Sequence, residues 1–525
     1  MNAALDGRLA DALARLPDYL GGHVRVSMAA LALGIALSVP LALVSIRRPA
    51  LRAVVLALSG VVQTIPGLAL LALFYPLLLG LAALSERTLG IGFSALGFVP
   101  AVLALALYSL LPVLRNAITG LTGVDPAIEE AALGVGMTRR QTLLLVELPL
   151  ALPVVMAGVR TAAVWVIGTA TLSTPIGQAS LGNYIFAGLQ TQNWVFVLFG
   201  CAAAALLALV FDQLLALIED GLRTRRRLRA ALGGLGIALV ILGALAPGWS
   251  RPHARYAIGA KTFTEQYILA ALIEQRLAAA GLSATRREGL GSSVILDALA
   301  GNDIDVYVDY TGTIWANALH RTDAKPRAEV TAAVATWLKE QHGITLLGDL
   351  GFENAYALAM PRARAAALGI RSIADLARAA PTLTIAGDYE FFSRPEWAAL
   401  RAAYGLSFRT ERVMQPEFMY SAAAAGEVDV LAAYTSEGRV AQYDLVVLED
   451  PKHVIPPYDA VILLAPRAAG DQALADALQP LLGAIDVDLM RAANLRASAG
   501  GAGVDPSPAA VARWMWEEIE KRRRK

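Results

Sequence analysis

From His23 to about Gly248 the chain runs in long apolar stretches that are nearly free of charge, and beyond Arg251 it does not. A hydrocarbon core of roughly 30 Å takes about twenty apolar residues as one helix. Hydropathy places six such spans at about 24–46, 53–80, 93–112, 150–172, 194–218 and 230–248. With 56% of its 525 residues hydrophobic and 17% charged, the chain is too apolar for an ordinary soluble protein. No cleavable signal peptide is expected, because Asp6, Asp11 and Asp18 interrupt the first twenty residues.

Arginine sets the orientation. Arg47, Arg48 and Arg52 follow the first span, Arg115, Arg139 and Arg140 lie between the third and fourth, and Arg223, Arg225, Arg226, Arg227 and Arg229 between the fifth and sixth. The alternate loops hold Glu86 with Arg87 and, over 173–193, no charge. The arginine-bearing loops are therefore expected in the cytoplasm. The chain start and everything past the sixth span then lie outside, and Asp212 is expected at the cytoplasmic interface. The net charge of +1, with no basic patch among aromatics, gives no sign of a nucleic-acid partner. One cysteine, Cys201, allows no internal disulfide, and the five histidines lack metal-ligand spacing.

Residues 130–149, EAALGVGMTRRQTLLLVELP, form a polar-edged insertion between apolar stretches. Glu130-Ala131-Ala132, Gly136, Val146 and Leu148-Pro149 resemble the coupling loop of ABC importer permeases. The alanines allow close helix contact, the glycine a sharp turn, and the proline marks the start of the next helix. Gln63-Thr64-Ile65-Pro66-Gly67, Leu111-Pro112-Val113-Leu114-Arg115-Asn116 and Gly158-Val159-Arg160-Thr161-Ala162 are similar to the osmoprotectant branch of that family. The resemblance implies an all-α, six-span domain of the type I ABC importer permease over 1–248, with the coupling loop near 125–149 docking on a separate ATPase subunit. It also implies a permease homodimer in the bacterial plasma (inner) membrane, in contact with lipid.

Past a linker at 249–255, strand and helix alternate. Tyr256–Ala260 reads as a strand, about 264–280 as an amphipathic helix, 283–287 as a strand, Ser292-Ser293 as a helix start, and Ile304–Val308 as a buried strand. That order implies a parallel-rich sheet with helices on both faces, and at about 270 residues two lobes are expected in 256–525. Gly289 and Gly291 lack the third glycine of a dinucleotide fingerprint, and no GxxxxGK[ST] stretch occurs. ATP and magnesium are therefore expected on the partner ATPase, with no cofactor in this chain. There is no pairing of nucleophile and base to suggest an enzyme.

Gly259–Gln266, Asp309–Thr313, Gly351–Tyr356, Glu390–Arg394, Ala433–Gly438 and Pro456–Asp459 resemble, in order and spacing, the substrate-binding proteins for glycine betaine, carnitine, choline and proline betaine. The resemblance implies a two-lobed, periplasmic-binding-protein-like α/β domain held outside the cytoplasm. It further implies a quaternary-ammonium cage of Tyr310, Tyr356, Tyr434 and Tyr458. Opposite the cage, Lys261, Arg394 and Thr313 are expected to hold the ligand carboxylate, with Asn354 completing the site. The chemistry is coherent: a methyl-capped nitrogen has no N–H to donate, whereas ring faces attract its diffuse charge at about 0.5–2 kcal/mol per ring. Tyr389, Phe391 and Phe392 are candidate pocket walls, and the lobes are expected to hinge near 351–354 and 454–457. Pro395-Glu396-Trp397 departs from the Gly-Asp-Gly common in the family, which opens the choice of substrate. Ergothioneine, a trimethylammonium betaine carried by relatives with the same fusion, is the alternative ligand. A membrane sensor without transport is the alternative class.

Overall fold

The computed structural model of the chain describes residues 2–46, 48–89, 97–190, 193–249, 254–321, 323, 325–499 and 505–524. Residues 93–96 of the third predicted span, 191–192 of the uncharged loop and 250–253 of the linker lie outside them. Packing divides the chain into two units: Ala12–Phe186 with Phe196–Pro252, and His253–Lys525 with Met1–Asp11 and Ala187–Val195.

The apolar unit is built of helices, which satisfy their own backbone where no water can. Among the described residues five are long and apolar enough to cross a membrane: Arg8–Ile46, Phe98–Thr122, Arg139–Ile176, Trp194–Arg223 and Arg227–Ala246. The expectation of six unbroken spans is thus corrected at the second, 53–80, which divides into helices Pro49–Thr64 and Gly67–Leu89. Pro66 has no N–H, and its ring disfavours helical geometry at the preceding residue, so Ile65 turns to φ −74°, ψ 126°. The freed groups find partners. Tyr108 donates its hydroxyl to the Ile65 carbonyl, and Gln63 Nε2 donates to the Tyr108 carbonyl at 3.2 Å. The first helix, Asn2–Ile46, starts well ahead of the predicted boundary and runs through Pro17 and Pro40.

Asp212, expected to be interfacial, is gripped by Arg160. Nε and Nη2 reach its two oxygens at 3.0 Å each, and Nη1 reaches Glu219 at 2.8 Å. Such a fork tied to a second carboxylate joins helices Leu148–Thr169 and Trp194–Arg223 by directed bonds, not by packing alone.

The segment expected to form the coupling loop folds as short helices. Asp125 caps Pro126–Gly134 by accepting from the Ala127 amide at 2.9 Å. Gly136 then takes φ +87°, a left-handed turn that favours glycine, and Thr138 with Gln141 forms a capping box. Glu130, Ala131 and Gly136 are exposed, Leu148 is half-buried, Pro149 is exposed, and Ala132 is buried. Pro149 does not start a separate helix as expected. Helix Arg139–Thr142 runs on through a wide π turn, Leu143–Glu147, into Leu148–Thr169. A π turn suits a proline that cannot donate to the carbonyl four residues back.

Among its described residues the second unit holds ten strands: β1 Tyr256–Lys261, β2 Ala284–Leu290, β3 Val306–Tyr310, β4 Thr345–Glu353, β5 Tyr356–Pro361, β6 Thr384–Gly387, β7 Thr410–Val413, β8 Val430–Tyr434, β9 Leu445–Val447 and β10 Asp459–Leu464. They form two sheets, ordered β2-β1-β3-β10-β4 and β7-β6-β8-β5-β9. β1 pairs in parallel with β2 and β3, and β6 with β7 and β8, whereas β10 and β5 run antiparallel to their neighbours. Apolar runs such as Val461, Ile462 and Leu463 are buried because both faces of these strands are covered. The chain passes from the first sheet to the second between Glu353 and Tyr356 and returns between Val447 and Asp459. At the first passage Gly351 has φ +105°, and a Cβ there would stand 2.9 Å from the Ile485 carbonyl oxygen.

Helices Phe98–Thr122 and Leu148–Thr169 meet at glycine: a Cβ on Gly158 would lie 2.6 Å from Asn116 Cβ and 2.7 Å from the Pro112 carbonyl oxygen. Gly158→Val is expected to lower stability by about 1–3 kcal/mol through overpacking. Gly168→Ala, where no atom lies within 4 Å of the new methyl, should not destabilise. Thermal unfolding of both purified variants in detergent checks the contrast.

Candidate functional site

The two sheets turn the ends of their strands toward one cavity of about 140 Å³. Ligand sites favour that edge, because strand ends supply side chains without breaking the ladder. Lys261 ends β1, Tyr310 ends β3 and Thr313 lies in the helical turn after it. Asn354 sits in the passage between the sheets, Tyr356 opens β5, Tyr434 ends β8 and Tyr458 precedes β10. Arg394 lies between helices Tyr389–Ser393 and Pro395–Tyr404. All eight of these sequence-predicted residues line the cavity.

The rings meet through strand register. Tyr356 and Tyr434 are direct partners in the antiparallel β5–β8 pair, with ring centroids 4.9 Å apart. Tyr458 meets Tyr356 edge to face at 5.9 Å, and Phe391 packs behind Tyr356 at 5.4 Å. Tyr310 stands apart from this group, beside Phe263 at 6.2 Å. Burial raises the pKa of all four tyrosines, so each is a neutral phenol. The other candidate walls do not line the cavity: Tyr389 is 79% exposed, and Phe391 and Phe392 pack with Trp397.

The basic groups are placed differently from the expected arrangement opposite the rings. Lys261 forms a buried ion pair with Asp309, and its Nζ lies 5.5 Å from the Tyr310 ring centroid. Arg394 lies 4.9 Å from the Tyr356 centroid, donates to the Tyr458 hydroxyl at 3.2 Å and pairs with Glu390 at 2.5 Å and Glu396 at 3.5 Å. Each cation thus rests on a ring that the resemblance assigns to the ligand. The cause is local: Arg394 follows a five-residue helix whose Glu390 stands one turn back, and Glu396 is buried beside it.

Sequence reasoning missed several lining residues. Glu265, in the first turn of Thr264–Ala279, is fully buried and accepts from Tyr310, from Asn354 Nδ2 at 3.1 Å and from Asn494 Nδ2 at 3.1 Å. Burial raises its pKa, against the pull of these donors and of Ser436. Asp388, capping the Phe391 amide at 2.6 Å, is likewise raised by burial. Arg439 pairs with Glu437 at 2.6 Å, which holds that carboxyl below its usual range although burial opposes it. Glu265, Glu390 and Glu437 lay inside the quoted motifs, where their acidity was the available signal. Asp388, Arg439 and Asn494 lay outside them. Among the described residues no group of histidine, cysteine, aspartate and glutamate could hold a metal.

Residues 254–517 match the substrate-binding domain of ABC-type glycine betaine transport systems, and 34–224 the inner-membrane component of binding-protein-dependent transport systems. The Helicobacter pylori ergothioneine transport permease/ergothioneine binding protein EgtU is 29% identical over 429 residues, 79% of this chain and 74% of that protein. The Bacillus subtilis choline transport system permease protein OpuBB is 40% identical over 197 residues, 38% of this chain and 83% of that protein. A solved glycine betaine/carnitine/choline ABC transporter structure is 27% identical with a TM-score of 0.46, covering 50% of this chain and 98% of that one.

The Lys261–Asp309 pair gives a stability test. Lys261→Met leaves Asp309 buried without its cation, which is expected to cost about 3–5 kcal/mol. Lys325→Met, at an exposed 3.6 Å pair with Glu329, is expected to cost under about 1 kcal/mol. Denaturant unfolding of the full chain separates the two.

Proposed function

Because this chain belongs to the binding-protein-dependent ABC importers of the glycine betaine family, we propose that it captures a quaternary ammonium osmoprotectant outside the cytoplasm and passes it inward. Glycine betaine, choline, carnitine and proline betaine are the candidate solutes. The chain unites the family's inner-membrane permease with its extracytoplasmic substrate-binding domain, and both are transport components, not enzymes. In this reading residues 1–248 are the permease, 249–255 the linker and 256–525 the receptor. The broken helix pair Pro49–Thr64 and Gly67–Leu89 counts as the sixth crossing.

The observation that carries the reading is the gathering of Tyr356, Tyr434, Tyr458 and Tyr310 around one buried cavity. Ring faces hold a cation that cannot donate a hydrogen bond, and exclusion of water strengthens the hold. Lys261, Arg394, Thr313 and Asn354 are the polar residues of the site. Coupling is assigned to Glu130, Ala131, Ala132, Gly136, Leu148 and Pro149. What supports it is the exposure of apolar side chains on that short segment, Val135 at 77% and Leu145 at 65%, which a partner ATPase would cover. One permease is half a pathway, so two copies and two ATPase subunits complete the assembly.

A second reading, ergothioneine import, is favoured by one observation: the similarity to EgtU runs through both domains, over 79% of this chain. Calorimetric titration of the full chain with ergothioneine and the four osmoprotectants separates the readings.

Transport is tested in proteoliposomes that contain the chain and its ATPase. Solute in the receptor-facing compartment is expected to stimulate ATP hydrolysis and to accumulate. If it does neither, a sensor replaces the importer. Tyr434→Ala is expected to weaken trimethylammonium binding about tenfold or more, and Tyr434→Phe about threefold or less, because the ring supplies the attraction. Equal losses in titration would contradict the cage.

A further inference from the structure

We infer that Asn354 and Asn494, oriented by Glu265, form a hydrogen-bond-accepting subsite that selects ligands with a polar hydrogen beyond the methyl-capped nitrogen. The inference rests on the quaternary ammonium reading above. Both asparagines line the cavity and are more than nine-tenths buried, at 7% and 4% exposed. Each commits its amide N–H to one oxygen of the Glu265 carboxylate at 3.1 Å. Reversing either amide would set a carbonyl against a carboxylate, so their orientation is fixed. Both side-chain oxygens, Asn354 Oδ1 and Asn494 Oδ1, are then left buried without a hydrogen-bond partner among the described residues. A buried acceptor in that state gains from any donor brought to it and loses when a second acceptor is pressed against it.

The basic groups reinforce the choice. Lys261 is committed to Asp309, Arg394 to Glu390 and Arg439 to Glu437. A bare ligand carboxylate meets Arg394 Nε, a buried unbonded donor on the ring side of the site. A hydroxyl or ring N–H has the two amide oxygens to satisfy. At the Tyr310 end of the cavity the Glu265 carboxyl accepts from the Tyr310 hydroxyl. The selecting group is therefore a built cluster, drawn from the passage between the sheets and from helix Val487–Ala499.

Matched ligands test this. The full chain in lipid nanodiscs is titrated by calorimetry with choline and with its O-methyl ether, which keeps the cation and removes the hydroxyl hydrogen. Choline is expected to bind about tenfold or more tightly than the ether, because a site built for a donor rejects the analogue that lacks it. In Asn494→Ala the ratio is expected to fall toward one while ether affinity changes about threefold or less. Should only ergothioneine bind, the same comparison is made against its ring-N-methylated form. Equal binding of the matched pair to the unaltered chain overturns the subsite and leaves the quaternary ammonium reading standing. Binding of none of these solutes overturns both.

Discussion

Tyr356 faces Tyr434 across two antiparallel strands, and the site depends on that register. A slip of one strand by one residue would send its ring to the opposite face of the sheet and part the pair. Tyr458 and Arg394 then pack onto Tyr356 from the return passage and from a short helix. Phe391 and Trp397 close the far side. The aromatic wall is therefore one packed unit, in which strand pairing sets position and neighbouring rings set tilt.

Much of this was legible in the sequence, and for physical reasons. Apolar run length revealed membrane helices, because bilayer thickness and helix rise leave little freedom. The strands at 256–261, 284–290 and 306–310 fell where β-branched and small residues cluster between helical stretches. All eight named pocket residues line the cavity because motif order preserves strand-end positions. Partnering was not legible. Nothing in the spacing of Lys261 reveals that Asp309, forty-eight residues on, takes its charge. Nor does it reveal that Asn494, 229 residues from Glu265, completes that carboxylate's shell. Hydropathy averaged over a window also passed across Pro66, where a single missing N–H divides a helix.

The membrane unit uses polar groups sparingly and in pairs. Arg160, Asp212 and Glu219 join two helices, one of which runs without a break from Arg139, beside the coupling turn. A half-buried charge cluster such as this adds little net stability over apolar packing, but its directed bonds favour one pairing of the two helices. The close contact at Gly158 packs the same helix against a third, Phe98–Thr122. The exposed segment at 126–147 thus joins the spans through a continuous helix, which a glycine seam and one ionic fork fasten to its neighbours.

Glu265 carries the same logic into the second unit. Its donors come from every part of the site: Tyr310 from the first sheet, Asn354 from the passage, Ser436 from just past β8 of the second sheet, and Asn494 from a C-terminal helix. A buried carboxylate with neutral donors is stable only while those donors stay in place. Any motion that parts the two sheets must strip the carboxylate of donors from one side and admit water in their stead.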